Sequence, residues 1–337
     1  MNPDMLLNLI AGKDLNRTQA ENLSCYMFTA KADPQFIKTS LLLLRRKGEA
    51  FDEILAFVKL LRSRMIQVEA DFPFLTDFCG TGGDQKHTFN ISTLAALVAA
   101  GAGAYVVKHG NRSVSSHTGS SDLMEKLGVN LKISAAAAAK TLKAAHFVYL
   151  HAPYFHPAFA AVQSVRRALK IKTLFNFLGP LLNPAKVKHQ LIGVSDASLL
   201  EIYPLILKHL GARHAWMVMT EDGYDEISLT GKTRAVQVEG TKIRKLILKP
   251  SDFGLRPVKP KDLETRTPAE NAAVANNILS GKERGPKKNV VLANAALGLL
   301  ASGRAGNIRE GTALARYSLE SGKALDVLNM VKEMSRQ

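Results

Sequence analysis

Between Asp77 and Asp122 the chain carries two loops rich in glycine, serine and threonine. Each follows a strand-like apolar run and precedes a helix-like one. The first reads Gly80-Thr81-Gly82-Gly83-Asp84, then Thr88-Phe89-Asn90-Ile91-Ser92-Thr93. The second reads Lys108-His109-Gly110-Asn111-Arg112-Ser113-Val114-Ser115-Ser116 and closes at Gly119-Ser120-Ser121-Asp122. An alanine-rich segment, Leu94 to Ala104, and a short apolar strand separate them. Strand–loop–helix junctions are where α/β proteins hold phosphate, because free backbone N–H groups and a helix N-terminus attract anionic oxygens.

The rest of the chain is compatible with such a scaffold. Its 337 residues suffice for two domains or one large one, and 46% hydrophobic with 22% charged residues is ordinary for a globular protein. The longest apolar run, Leu94 to Val107, is mostly alanine broken by glycine and does not read as a membrane span. The first residues, Met1-Asn2-Pro3-Asp4-Met5, lack the basic segment of a secretion signal. Cys25 and Cys79 are too few and too distant for a disulfide framework or a zinc site, so a reducing cytoplasm is expected. The net charge of +16 invites a nucleic-acid reading. The basic residues come in scattered clumps, such as Arg45-Arg46-Lys47 and Lys242 to Lys249, with no aromatic interleaving and no nucleic-acid motif. Nucleic acid is therefore not expected as the partner, and a solvated surface that also attracts a polyanionic small substrate fits instead.

Residues 3 to 68 read as helices only. Asp33-Pro34 starts one of them and Gly48 stops it. Leu75 to Cys79 reads as a buried strand, Asn90, Ser92 and Thr93 as caps of the helix to Ala100, and Gly103 to Lys108 as the next strand. Helices from Ser120 and from Ser134, a strand at Phe147 to His151, and a helix opened by His156-Pro157 with Val162, Val165 and Leu169 follow. Gln190 to Val194, a helix to Leu210 and His214 to Thr220 resume the alternation. Ala235 to Val238 and Ile243 to Leu248 look like a hairpin, and the chain beyond Thr267 is helical. The expected class is α/β: a small helical domain plus a large domain with a mostly parallel sheet covered by helices.

Two familiar phosphate signatures are absent. No Gly-Lys-Ser/Thr closes the first loop, and Gly101-Ala102-Gly103 ends a helix where a dinucleotide fingerprint would follow a strand. What remains is a glycine loop that lets backbone approach a bulky anion, neutral donors, and the cations Lys108 and Arg112. Asp84 inside this loop, and Asp225-Glu226 in another, would repel phosphate unless a hard cation lay between them. Such oxygen ligands suit Mg²⁺. No nucleophile–base pair stands out, and Cys79 reads as core.

These motifs together resemble the anthranilate phosphoribosyltransferase family. The resemblance is carried by Gly80-Thr-Gly-Gly-Asp84, Thr88 to Thr93, Lys108 to Ser116 and Gly119 to Asp122. Val165-Arg166-Arg167, Asn176-x-Leu178-Gly179-Pro180-Leu181-Leu182-Asn183-Pro184 and Asp222-Gly223-x-Asp225-Glu226-Ile-Ser extend it. It implies transfer of the phosphoribosyl group from 5-phosphoribosyl diphosphate to anthranilate in tryptophan synthesis, with Mg²⁺ and a homodimer. It implies a helical unit of residues 1–72 with 157–188, hinged to an α/β unit of residues 73–156 with 189–337. Matched by position, Gly80, Gly83, Asp84, Thr88, Asn90, Ile91, Ser92, Thr93, Lys108, His109, Gly110, Asn111, Arg112, Ser113, Val114, Ser115, Ser116 and Ser120 meet the diphosphate substrate. Gly80, Asn111 and Arg166 meet anthranilate, and Ser92, Asp225 and Glu226 serve the metal.

Departures from the family pattern at Gln85, Lys86, Ser121 and Ser164 remove none of these residues. A pyrimidine-nucleoside phosphorylase shares the fold, but its Arg–Ser–Lys base-binding set is missing here. A silent relative that binds nucleic acid would have lost the glycine loop or the acidic pair. Taken singly, Asp225-Glu226 also fits an exposed hairpin tip, and His109 reads as structural rather than as a general base.

Overall fold

The computed structural model describes residues 3–112 and 118–336, so Ser113, Val114, Ser115 and Ser116 of the second loop lie outside it. Four helices precede the first strand: α1 (Pro3–Ile10), α2 (Arg17–Met27), α3 (Pro34–Lys47) and α4 (Phe51–Arg64). Asp33 caps α3 by accepting from the Gln35 N–H, Pro34 occupies its first turn, and Gly48 follows its basic end. The α/β part begins with β1 (Thr76–Gly80), α5 (Ile91–Gly101), β2 (Val106–Gly110), α6 (Ser120–Lys126), α7 (Ala135–Ala145), β3 (Phe147–His151) and the single turn α8 (Ala152–Phe155). It continues through α9 (Gln163–Leu169), β4 (His189–Gly193), α10 (Leu199–His209), β5 (His214–Thr220), β6 (Thr233–Glu239) and β7 (Lys242–Leu248). Helices α11 (Pro268–Leu279), α12 (Pro286–Ala301), α13 (Ile308–Glu320) and α14 (Lys323–Met334) complete it.

A seven-stranded sheet takes the order β3-β2-β1-β4-β5-β6-β7. The first five strands are parallel, with Thr76 opposite both Val106 and His189, and β6 and β7 are antiparallel. The chain leaves β1 toward β2 and β3 and returns on its other side as β4. In open α/β sheets such a reversal leaves a crevice beyond the carboxyl ends of the strands. The first glycine loop follows β1 at that point.

Side chains alternate across the sheet with period two. Phe78, Leu191, Trp216 and Val218 face a core shared with α5, α6 and α11 to α14. Cys79, Ile192, Ala215 and Met217 face the opposite core, which includes α1 to α4, α10 and buried residues between Val162 and Leu182. Helix α5 is buried almost all round, which explains its unbroken apolar sequence. Gly298 lets α12 pack directly on the sheet: a Cβ there would sit 2.0 Å from Phe78 Cε1.

Three local expectations are corrected. Strand β2 starts at Val106, because Gly103 (φ 92°) takes the turn after α5. The segment after His156 is a 3-10 turn, Pro157–Val162, before α9 begins, and not one helix. Phe159 thereby packs edge-on against Phe28 and Phe175. Asn90 stands before α5 but makes no side-chain cap hydrogen bond. Glu226, distant in sequence, accepts from the Ser92 N–H at 3.2 Å instead.

Candidate active site

Gly80 ends β1 with its Cα facing the Asp225 carboxylate; a Cβ there would meet Asp225 Oδ2 at 3.0 Å. The chain then turns through Gly82 (φ 66°) and Gly83 (φ 79°), where a side chain would be strained. The Gly82 N–H donates to Asp225 Oδ2 at 2.9 Å, and the Ser195 hydroxyl after β4 donates to the Gly82 carbonyl at 2.8 Å. Lys172 Nζ donates to the Gly83 carbonyl at 2.6 Å. Gln85 (φ 59°) and His87 (φ 53°) extend the left-handed stretch, and Thr88 forms a bridge to Glu264.

Asp225 and Glu226 do not form an exposed tip. Asp225 is buried and Glu226 half-buried, both turned into the crevice. Burial, and then the facing charge of Asp84, push the Asp225 carboxyl up to about 7. Burial and the Asp225 charge hold Glu226 well above the usual carboxylate range, against the pull of Lys108. Lys108, almost fully buried, donates to the Phe78 carbonyl and to Ser92 Oγ at 3.4 Å. Its own pKa is lowered by burial and supported by Asp77. The centre of the crevice is thus a crowd of carboxylates around one fixed ammonium.

This arrangement fits Mg²⁺. Asp84 Oδ2 is buried with no hydrogen-bond partner, and its neighbour is another carboxylate rather than a donor. Among the described residues no three His, Cys, Asp or Glu side chains form a ready-made cage. Mg²⁺ needs none, because it takes one or two carboxylates and completes its shell with water and substrate phosphate.

The remaining expected residues divide. His109 is buried at the end of β2; its backbone N–H donates to Asp77 Oδ1 at 3.2 Å, and Asn183 donates to Asp77 Oδ2 at 2.8 Å. Burial and the neighbouring His156 depress its pKa, which keeps the imidazole neutral. Asn90 Nδ2 donates to the Thr118 carbonyl at 3.3 Å, which ties the first loop to the second. Ser120 starts α6 and hydrogen-bonds the Tyr149 hydroxyl at 2.8 Å. Gly110 packs so closely on Ser120 and Tyr149 that a Cβ there would clash with both. Ile91 and Thr93 are buried in the first turn of α5, and Thr93 Oγ1 has no hydrogen-bond partner among the described residues. Asn111 is exposed, and Arg112 is held by Asp122 at 2.7 Å and Glu125 at 2.9 Å.

Arg166 lies on another wall. Its guanidinium sits 5.4 Å from the ring centres of both Phe159 and Phe175. No acidic side chain among the described residues pairs with it, and burial lowers its pKa. A ring path connects it to β2: His109 to His156 at 5.0 Å, then His156 to Phe159 at 6.0 Å. His156, Phe159, Phe175, Lys172 and Ser195 were missed in the sequence. No local signal marks them, since each reaches the site only through folding.

A family described as "Glycosyl transferase family, a/b domain" matches residues 73–325. Anthranilate phosphoribosyltransferase of Desulfitobacterium hafniense is 45% identical over 306 residues, covering 91% of this chain and 90% of the relative. The chain belongs to the anthranilate phosphoribosyltransferase family. The crystal structure of anthranilate phosphoribosyltransferase from Thermus thermophilus superposes with TM-score 0.92 at 36% identity, covering 99% of this chain and 100% of that one. The Saccharomyces cerevisiae anthranilate phosphoribosyltransferase in complex with PRPP and Mg gives TM-score 0.89 at 28% identity, covering 99% of both chains. Membership of this family accounts for the glycine loop beside the acidic pair.

Proposed function

We propose that the chain transfers the 5-phosphoribosyl group of 5-phosphoribosyl diphosphate to the amine of anthranilate, releasing pyrophosphate, with Mg²⁺ as cofactor. The single observation that carries this reading is the glycine loop of β1 folded onto Asp225, with Asp84, Glu226 and Lys108 beside it. Asp225 and Glu226 with Ser92 would hold the Mg²⁺, on the donor side of which Asp84 lies, and the ion would supply neutralisation of the charge that develops on the leaving pyrophosphate.

The protein's own residues supply the rest. Backbone N–H groups of the first loop and the Lys108 ammonium bind the anionic donor. Gly80, Gly83, Asp84, Thr88, the segment Asn90 to Thr93, the segment Lys108 to Arg112 and Ser120 are the donor contacts in this reading, with Ser113 to Ser116, which lie outside the described residues. An aromatic amine is neutral at pH 7 and attacks without a strong base, so placement matters more than proton abstraction. Arg166 receives the anthranilate carboxylate: it is a half-buried guanidinium packed against Phe159 and Phe175, with no acidic partner among the described residues. Asn111 and Gly80 complete the acceptor side.

A helical unit of residues 1–72 with 157–188 moving against the α/β unit closes the crevice. In that core α1 to α4 pack with Val162, Phe175 and Leu182, and also with Cys79, Ile192 and Met217 of the sheet, so the two units meet across one apolar surface. The same helices form a homodimer, for which Leu7, Ile10 and Leu42 are exposed; a monomer by sedimentation at micromolar concentration would overturn this. No helix among the described residues is long and apolar enough to cross a membrane, and a cytoplasmic location fits the pathway. The deciding assay mixes anthranilate, the phosphoribosyl donor and Mg²⁺. Anthranilate fluorescence is expected to fall with time, and no fall under saturating substrates would refute the assignment.

A further inference from the structure

Lys172 reaches the first glycine loop from the wall that carries Arg166. Its ammonium donates to the Gly83 carbonyl at 2.6 Å. The fit is close on both sides: a Cβ on Gly83 would lie 2.6 Å from Lys172 Nζ and 2.7 Å from its Cε. Lys172 is exposed, and its charge is one of those that help to lower the Asp196 carboxyl's pKa. Six residues upstream, Arg166 is fixed by Phe159 and Phe175. One short segment therefore touches the acceptor pocket with one cation and the anion loop with another.

We propose that Lys172 is a binding residue for the diphosphate group, contributed from the helical wall. This deepens the activity proposed above and rests on that reading for the identity of the anion. A carbonyl engages one of the three protons of an ammonium and carries no net charge. A diphosphate oxygen arriving at the same loop offers a charge-assisted bond that is shorter and stronger. The Gly83 contact thus holds the side chain at the loop, with two protons left for the anion. Lys108 and Lys172 then grip the diphosphate from opposite sides, one from the sheet and one from the helical wall. Nothing in the linear sequence pairs Lys172 with Gly83, which lies far upstream on another wall.

The test is calorimetric titration of the whole protein with inorganic pyrophosphate in excess Mg²⁺, beside steady-state kinetics. Three variants separate charge from latch. Lys172→Met removes both, Lys172→Gln keeps an N–H donor for Gly83 without charge, and Lys172→Arg keeps the charge. Lys172→Met and Lys172→Gln are expected to weaken pyrophosphate roughly tenfold or more and to raise the donor KM by a similar factor. The anthranilate KM and the melting temperature stay within about twofold and one degree of wild type. Lys172→Arg is expected to recover most of the affinity. If Lys172→Gln matches wild type, the side chain is only a latch on Gly83 and the proposal is overturned. It is overturned as well if all three variants match wild type, or if wild type binds no pyrophosphate. Lys172-dependent pyrophosphate binding without turnover of anthranilate would instead leave the anion site standing and remove the proposed reaction.

Discussion

The Asp225 carboxylate accepts the Gly82 N–H at 2.9 Å, so the loop after β1 and the loop after β5 are one structural unit. The anion loop is shaped by the residue proposed above to hold the metal. Glu226 extends the same coupling to the first turn of α5 through the Ser92 N–H. Loss of either carboxylate changes metal affinity and loop shape together.

Asp225→Asn combined with Glu226→Gln is expected to lower turnover by roughly a hundredfold or more, because charge neutralisation at the leaving group is lost. The neutral side chains still accept from Gly82 and Ser92, so the fold is retained. Initial rates across a Mg²⁺ titration check this; a double variant with wild-type rate and Mg²⁺ dependence would exclude both residues from the metal site.

The same pair gives a pH dependence. Burial and Asp84 hold the folded Asp225 carboxyl at about 7, whereas the unfolded chain releases that proton near the ordinary 3.8. Between these values the folded state binds the extra proton, so stability is lost as pH rises from about 4 to about 7. The melting temperature of wild type minus that of Asp225→Asn is expected to fall between pH 5 and pH 8 without divalent ions. Mg²⁺ is expected to stabilise wild type more at pH 8 than at pH 5. A difference that stays flat with pH would mean that the carboxylate already has a permanent cationic partner.

Arg166→Ala is expected to raise the anthranilate KM roughly ten- to hundredfold, the range for a lost charge-assisted contact of about 1.5–3 kcal/mol, with the donor KM nearly unchanged. Arg166→Lys recovers only part, since an ammonium lacks the planar fork that matches a carboxylate. Equal weakening of both substrates would assign Arg166 to the scaffold.

Gly193→Ala is expected to destabilise the protein by about 3 kcal/mol and to abolish activity. A Cβ at Gly193 would lie 1.5 Å from the Asp225 backbone carbonyl, so the acidic loop must move. Gly231→Ala, with nothing within 4 Å of the added atom, is the matched control and is expected to be neutral. Urea midpoints of the two variants check the pair; equal midpoints would show that the acidic loop yields freely.

Local chemistry made the scaffold legible. Asp33-Pro34 and Gly48 bound α3, and Ser134 caps α7 through the Ala137 N–H. The alternation of strand and helix gives the parallel sheet and places the loop after Gly80 at its carboxyl edge. The helix expected from His156 was misread because tertiary aromatic packing of Phe159 outweighs helical propensity there. Asn90 was misread as a side-chain cap for a related reason: a carboxylate from a distant loop meets the helix N-terminus instead.

By itself the sequence determined the α/β class, the two anion loops and the residues whose order marks the family, because turns, caps and apolar periodicity act over a few residues. Only the tertiary structure decided that Asp225-Glu226 is inside the crevice and not a tip. The same holds for the neutral His109 and for Arg166, which packs against two rings with no acidic partner among the described residues. It also decided that Lys172 reaches Gly83. Burial, proximity of like charges and contacts between distant segments set these properties, and none of them exists until the two walls of the crevice are packed together.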